Sequence, residues 1–514
     1  MLTHFVLAFL AIFLAYLSTK LHYKRYRQYA TVPQISTSLL WGHLKAFDNF
    51  SKHGLKNRHP DLVFSEIRDT LGKPPMMLLD LRPVTYPMLL ISDHLIAEQV
   101  SKGTKVFPKT YLITLLPGIL GKIPKFIEHL DNYASRGTEF SLAFLISNLM
   151  FDIIGIVVMD MDLEAQHESS GQSEFIRLYR ELLLTYINDP MDSPSWLVPR
   201  TELKRRRLGA RINALLTDVV HSKHAAQQAE IQGRPTTKSR SVLSLILQDT
   251  ETLTPQLVNE ACDQLKTFLF AGHDTTSILI SWIFYELSRT PRALAAVQAE
   301  LDSFLGKETE PRIVLERLLA SGNDIITRMP YTAAVVKEIL RLHPPASTAR
   351  MTKPGTGFNL RTADGTEHCV DGAILYICHS LIHRDRAVYG DSADSFIPER
   401  WLEATELSNK DFAAAAICRA QAPVSAWRPF ERGPRNCVGQ DFAKIEAHVI
   451  VAVVARRYDF VKVGLGETVL DDDGQPIMGE SGQYKVKSEL YKGRQITARP
   501  VDGMTMRVQL RSSR

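Results

Sequence analysis

The stretch "PFERGPRNCVGQ", Pro429 to Gln440, decides how the rest of the chain is read. A cysteine follows Arg435-Asn436 directly, with Gly433 before it and Gly439 after it. The charged neighbours argue against a core position, and the whole chain holds only five cysteines, at 262, 369, 378, 418 and 437. A thiolate that binds a metal needs a loop that exposes sulfur yet keeps water off it. Gly433 permits a tight turn, and Gly439 lets a backbone approach something flat and large. From Val438 onward the spacing is helical, which predicts Cys437 at a helix N-terminus, where the dipole and free N–H groups lower a thiol pKa. Phe430 can shield the sulfur, and Arg435 can pair with an anionic group. A chance match to F-x-x-G-x-R-x-C-x-G is on the order of 10⁻⁴ or less for a chain of this composition.

"FERGPRNCVG" closely resembles the haem-binding loop of the cytochromes P-450, the haem-thiolate monooxygenases. The resemblance implies that Cys437 is the proximal ligand of haem b and pushes electron density onto bound oxygen. It also implies that Arg435 contacts a propionate, with Phe430, Gly433 and Gly439 shaping the cradle. Two further motifs extend it. In "KEILRLHPP", Glu338 and Arg341 stand at i and i+3 on one helix face, close enough to pair. "FIPERW" supplies Arg400 as the third member of the family's structural set. A buried carboxylate between two guanidiniums fixes a fold and does no chemistry. In "FAGHDTTS", Phe270 to Ser277, a glycine and paired threonines lie inside a helical pattern, where glycine alone costs about 1 kcal/mol. In the family this stretch opens the helix over the distal haem face. Thr275 can bond back toward Ala271, leaving room beside Gly272, and Asp274 with Thr275 matches the acid–alcohol pair that delivers protons. His273 falls at the family's variable position and is read as a bystander.

The remaining sequence bounds the reading. Sixty-one basic and 56 acidic residues give a net charge of +5, too mild to imply nucleic acid. The run Lys204 to Arg207 reads as a solvated helix face. Sparse, unpatterned cysteines argue for a reducing compartment. Cys369, Cys378, His379 and His383 admit a zinc reading, but their spacing fits no usual finger and "ILYIC" looks like a strand. Leu2 to Thr19 is uncharged and spans about 27 Å as a helix, just enough for a bilayer. Lys20, Lys24, Arg25 and Arg27 follow it, which favours a permanent anchor with a cytosolic domain over a cleaved signal. Ser141 to Met159 is a second apolar run, in which Asn148 and Asp152 favour a buried helix.

The fold class expected is mainly α with a smaller β portion, a P-450 fold behind a membrane anchor. Residues 1–22 form the anchor and 23–514 the haem-thiolate domain. A helix of about 35 residues is expected from Pro255, capped by Thr254, to about Arg289. Short strands are expected between Gly355 and Ile377 and near the C-terminus, and a polar loop from Ile231 to Ser241. One departure stands out. Near 118–126 the family carries a helix whose tryptophan and basic residue, four positions on, touch the propionates. The tryptophans here are at 41, 196, 282, 401 and 427, so an internal deletion at Lys122 is inferred.

The resemblance implies monooxygenation of a small hydrophobic substrate, and the sequence looks like the filamentous-fungal branch of secondary metabolism. Lacking a flavin or nicotinamide fingerprint, the chain is expected to take NADPH electrons from a separate membrane-bound reductase, with cytochrome b5 as an optional second donor, at the endoplasmic reticulum. Two alternatives stay open: a reductase-independent isomerase or dehydratase, and a degenerate member with little activity.

Overall fold

The computed structural model describes residues 2–101, 115–168, 170–187, 198–231, 241–248, 250–402, 422–495 and 497–511. The expected loop around 232–240, Cys418 and the proline-rich segment 188–197 lie outside them. The chain divides into two compact units. The first comprises Met1–Lys105, Ala346–Asp394 and Ala420–Cys437, and the second comprises Val106–Pro345, Ser395–Arg419 and Val438–Arg514.

The first unit is built on a four-stranded sheet. Met76–Leu79 pairs antiparallel with Met88–Ile91, which runs parallel to Ile374–Ile377, itself antiparallel to Thr348–Met351. "MMLL" and "MLLI" are apolar throughout because both sheet faces are covered. Alternation divides them. Met76, Leu78, Leu89, Ile91, Leu375 and Ile377 enter one core. Met77, Leu79 and Leu90 enter the other, with Val63, Phe64 and Ile67 of helix Pro60–Thr70. The short strands expected between Gly355 and Ile377 include a hairpin, Asn359–Arg361 against Glu367–Cys369, turning at Gly365 with φ +85°.

The first unit also begins with helix Leu2–His22, which is exposed from His4 to Lys20 and apolar enough to cross a membrane. It passes into a π-helical turn, Tyr23–Arg27. There Arg25 is buried, bonded to Asp80 at 2.7 Å and to the carbonyls of Leu39, Leu40 and Arg82. Gly42 (φ +55°) makes room for it, since a Cβ there would lie 2.4 Å from the Arg25 guanidinium.

The second unit is helical. Helix Pro255–Arg289 has the expected limits, with the Thr254 side chain accepting from the Leu257 amide and Pro255 at the first turn. Helix Leu142–Ile154 packs along it and is buried, not membrane-exposed. Its two polar residues are satisfied inside. Asn148 accepts from Arg180, and Asp152 accepts from the Ala165 and Gln166 amides. Helix Gln440–Val454 is buried from Glu446 to its end. Lys204 and Arg206 lie on the exposed face of helix Pro199–Ile231, paired with Glu181 and Glu202. A three-stranded sheet closes the unit, with Thr505–Leu510 between Phe140–Ser141 and Tyr458–Lys462. Across the inferred join the chain is one helix, Leu116–Arg136, with Pro124 inside it and Ile119, Leu120, Ile123 and Phe126 buried.

Candidate functional site

The cysteine loop belongs to the first unit. Its tightest restraint is the Cys437 amide, which donates to the Phe430 carbonyl at 2.8 Å, while the Asn436 amide donates to Gly433 at 3.1 Å. Gly433 takes φ +80°, the conformation its position suggested. The Cys437 thiol is exposed within the unit, and Phe430 packs edge-on to Trp427. Arg435 is exposed and makes no hydrogen bond or ion pair among the described residues. The regular helix begins at Gln440, with Gly439 as its cap, two residues later than the spacing suggested.

Just upstream the loop is held by a buried network that sequence reasoning missed. Glu431 has φ +56°, a conformation that costs a residue with a side chain about 1 kcal/mol or more. One carboxylate oxygen accepts from Arg428 Nε (3.0 Å), Ser101 Oγ (3.0 Å) and the Arg432 amide (3.1 Å). The other accepts from His379 Nε2 at 3.1 Å. Burial pushes this carboxyl up, but the hydrogen bond and charge of His379, together with Arg428, more than offset it, leaving the pKa at about 2. Arg428 is 1% exposed and also reaches the His94 and Ala97 carbonyls.

In the second unit the motif "FAGHDTTS" lies in the long helix. The Thr275 hydroxyl donates to the Ala271 carbonyl at 2.8 Å, as its position suggests. The expected opening is not seen, since Pro255–Arg289 is helical throughout. A hydroxyl bonding back onto i−4 satisfies that carbonyl without breaking the ladder. Nor is the space beside Gly272 empty: a Cβ there would sit 2.5 Å from Ile154 Cδ1. Asp274 is buried and bonded to Thr497 and Arg499. His273 is buried, stacked on Phe151 at 3.9 Å and hydrogen-bonded to the Leu269 carbonyl, and burial lowers it to about 4. Thr276 donates to Glu446 at 3.1 Å, and burial lifts that carboxyl to about 8.

The three residues read as structural come together. Glu338 accepts from Arg341 at 2.9 and 2.8 Å and from Arg400 at 2.9 Å. The Ile397 amide and Trp401 Nε1 complete the shell, and burial of the carboxylate is outweighed by these cations, which hold its pKa down. Trp401 follows Arg400 in "FIPERW", so it could have been included; Arg499 and Thr497, in a segment read only as a strand, carried no such signal.

The family model "Cytochrome P450" matches residues 88–487. The chain is 31% identical over 417 residues to the cytochrome P450 monooxygenase acrF of Aspergillus aculeatus, covering 78% of this chain and 81% of that one. It is 34% identical over 266 residues to a bifunctional cytochrome P450/NADPH–P450 reductase of Gibberella moniliformis, covering 51% of this chain but 19% of that one. In shape it is similar to the cytochrome P450DA heme domain, with a TM-score of 0.64 at 18% identity over 94% of this chain and 98% of that one.

Proposed function

Because this chain belongs to the cytochrome P450 family, we propose that it is a haem-dependent monooxygenase. It inserts one oxygen atom from dioxygen into a hydrophobic small molecule of a fungal secondary-metabolite pathway. The observation that carries the reading is the loop, in which an exposed thiol and an Arg435 guanidinium unpaired among the described residues flank a backbone tied down at Phe430. That donor set fits haem. Cys437 would ligate the metal, Arg435 would neutralise a propionate, and Phe430 would shield the sulfur. Haem, when bound, supplies oxygen activation, which thiolate ligation favours.

The chain's own residues position and move protons. Thr275 keeps its hydroxyl proton on the Ala271 carbonyl, and neighbouring Asp274 is held by Arg499 and Thr497. Exchange of those partners would let Asp274 take up a proton from solvent and pass it to Thr275 Oγ1 as that hydroxyl gives up its own. Electrons would come from NADPH through a separate reductase, with cytochrome b5 as a second donor. The apolar helix Leu2–His22 would anchor the chain in the endoplasmic reticulum, with the catalytic domain in the cytosol.

The reduced carbon-monoxide complex tests the ligand. The unmodified chain should absorb at about 450 nm, the signature of thiolate ligation. Cys437→Ala should lose that band, while Cys262→Ala and Cys378→Ala, at buried positions, should keep it. A surviving band in the Cys437 variant would refute the assignment, and product formation without NADPH would favour the isomerase or dehydratase reading.

A further inference from the structure

Glu431 occupies a backbone conformation that glycine adopts freely and other residues resist (φ +56°). A chain that needed only the turn would be better served by glycine. What glutamate adds is a carboxylate, and the structure uses both of its oxygens. They gather Arg428, Ser101, His379 and the Arg432 amide from three separate stretches of the first unit. Arg428 is fully buried, so the carboxylate is also the counter-charge that lets a guanidinium stay there. The Glu431 amide donates to the Arg428 carbonyl at 3.0 Å, which closes the turn. The residue just before Glu431 is Phe430, whose carbonyl receives the Cys437 amide at 2.8 Å. Moving Glu431 therefore moves the acceptor that fixes Cys437.

We propose that Glu431 is a positioning residue for the thiolate: its carboxylate, clamped by Arg428, Ser101 and His379, fixes the Phe430 carbonyl and through it the placement of Cys437. This deepens the haem-thiolate reading and rests on it. Glu431 touches neither haem nor substrate in this role, and its effect reaches the sulfur through two backbone links.

The full chain, as holoprotein, is compared with Glu431→Gln, Glu431→Gly and Ser101→Ala. The first readout is the share of bound haem whose reduced carbon-monoxide complex keeps the thiolate band. It should fall about threefold in Glu431→Gln and about tenfold in Glu431→Gly, because a buried Arg428 loses its nearer counter-charge in both and keeps only the more distant Glu98, 3.9 Å away. Ser101→Ala removes one of the bonds and keeps the charge, so a loss of about twofold is expected. The second readout is amide exchange at Cys437 in haem-free protein, which should quicken in the same order. If Glu431→Gly matches or exceeds the unmodified chain in both readouts, the turn alone matters and the proposal is overturned. Should the Glu431 variants fail to fold, Ser101→Ala decides: unchanged exchange at Cys437 overturns the proposal, and faster exchange supports it. If the unmodified chain itself lacks the thiolate band, the haem-thiolate reading fails, while the exchange data still judge the clamp.

Discussion

Glu431 and Glu446 are both buried, and their surroundings push them to opposite charge states. Glu431 meets Arg428 and His379, and its pKa is about 2. Among the described residues Glu446 is hydrogen-bonded only to the neutral Thr276 hydroxyl, and its pKa is about 8. The signs of their contributions follow. Glu431, lowered, adds stability that is present above its unfolded pKa near 4.5 and is lost as pH falls toward 2. Glu446, raised, keeps a proton that the unfolded chain gives up, so stability declines as pH rises from about 4.5 to about 8. Glu446→Gln should therefore stabilise the protein by about 2 kcal/mol at pH ~8 and by much less at pH ~5. Urea unfolding at the two pH values checks this, and an equal effect at both would show that Glu446 is not held protonated. At this scale the sequence was legible where a motif named residues that fold together, as for the Glu338–Arg341–Arg400 group. It was silent where charge state depends on what folding brings alongside. Nothing in "DFAKIEAHV" says that Glu446 faces a single hydroxyl, and nothing in "PFERG" says that Ser101 and His379 converge on its glutamate.

Helices show the same divide between local and assembled information. The ends of Pro255–Arg289 could be read directly, because Thr254, Pro255 and Pro291 are adjacent, local signals. The state of its middle could not, because it depends on Ile154 of another helix filling the space at Gly272. Gly272→Ala pits a helix-propensity gain of about 1 kcal/mol against overpacking of about 1–3 kcal/mol. We expect a net loss of about 1 kcal/mol in the unmodified chain. In an Ile154→Val background, which removes the Cδ1 atom 2.5 Å from the new Cβ, the same change should become stabilising by about 0.5 kcal/mol. A thermal-denaturation double-mutant cycle measures the coupling; additive effects would mean the two helices do not share that space. The expected mainly helical class, the buried run at Ser141–Met159 and the short strands between Gly355 and Ile377 are all found, since period and turn residues specify each of them.

For the whole molecule, the inferred deletion and the intact helix at the same place separate folding from cofactor retention. Helix Leu116–Arg136 crosses Lys122 with its apolar side buried. On the proposed haem reading, Arg435 would neutralise two propionate carboxylates without the tryptophan and basic residue that the resemblance places near 118–126. Unpaired buried charge costs several kcal/mol. The unmodified chain should therefore give a native far-ultraviolet dichroism spectrum with less than about one half of its haem sites filled, as judged by haem absorbance per chain. Inserting after Lys122 a helical segment with tryptophan and, four residues on, lysine should raise the filling; stoichiometric haem without it would show the segment is dispensable. Another trait of the whole chain follows from Arg25. Three residues beyond helix Leu2–His22, its side chain is buried and bound to Asp80 and three backbone carbonyls of the first unit. No slack separates the helix from the body it leads into. Torque on one is delivered to the other, as with a weathervane fixed to its spindle rather than a kite on a string. On the proposed anchoring, a tilt of the helix would thereby steer the first unit, setting the heading at which it meets an approaching partner.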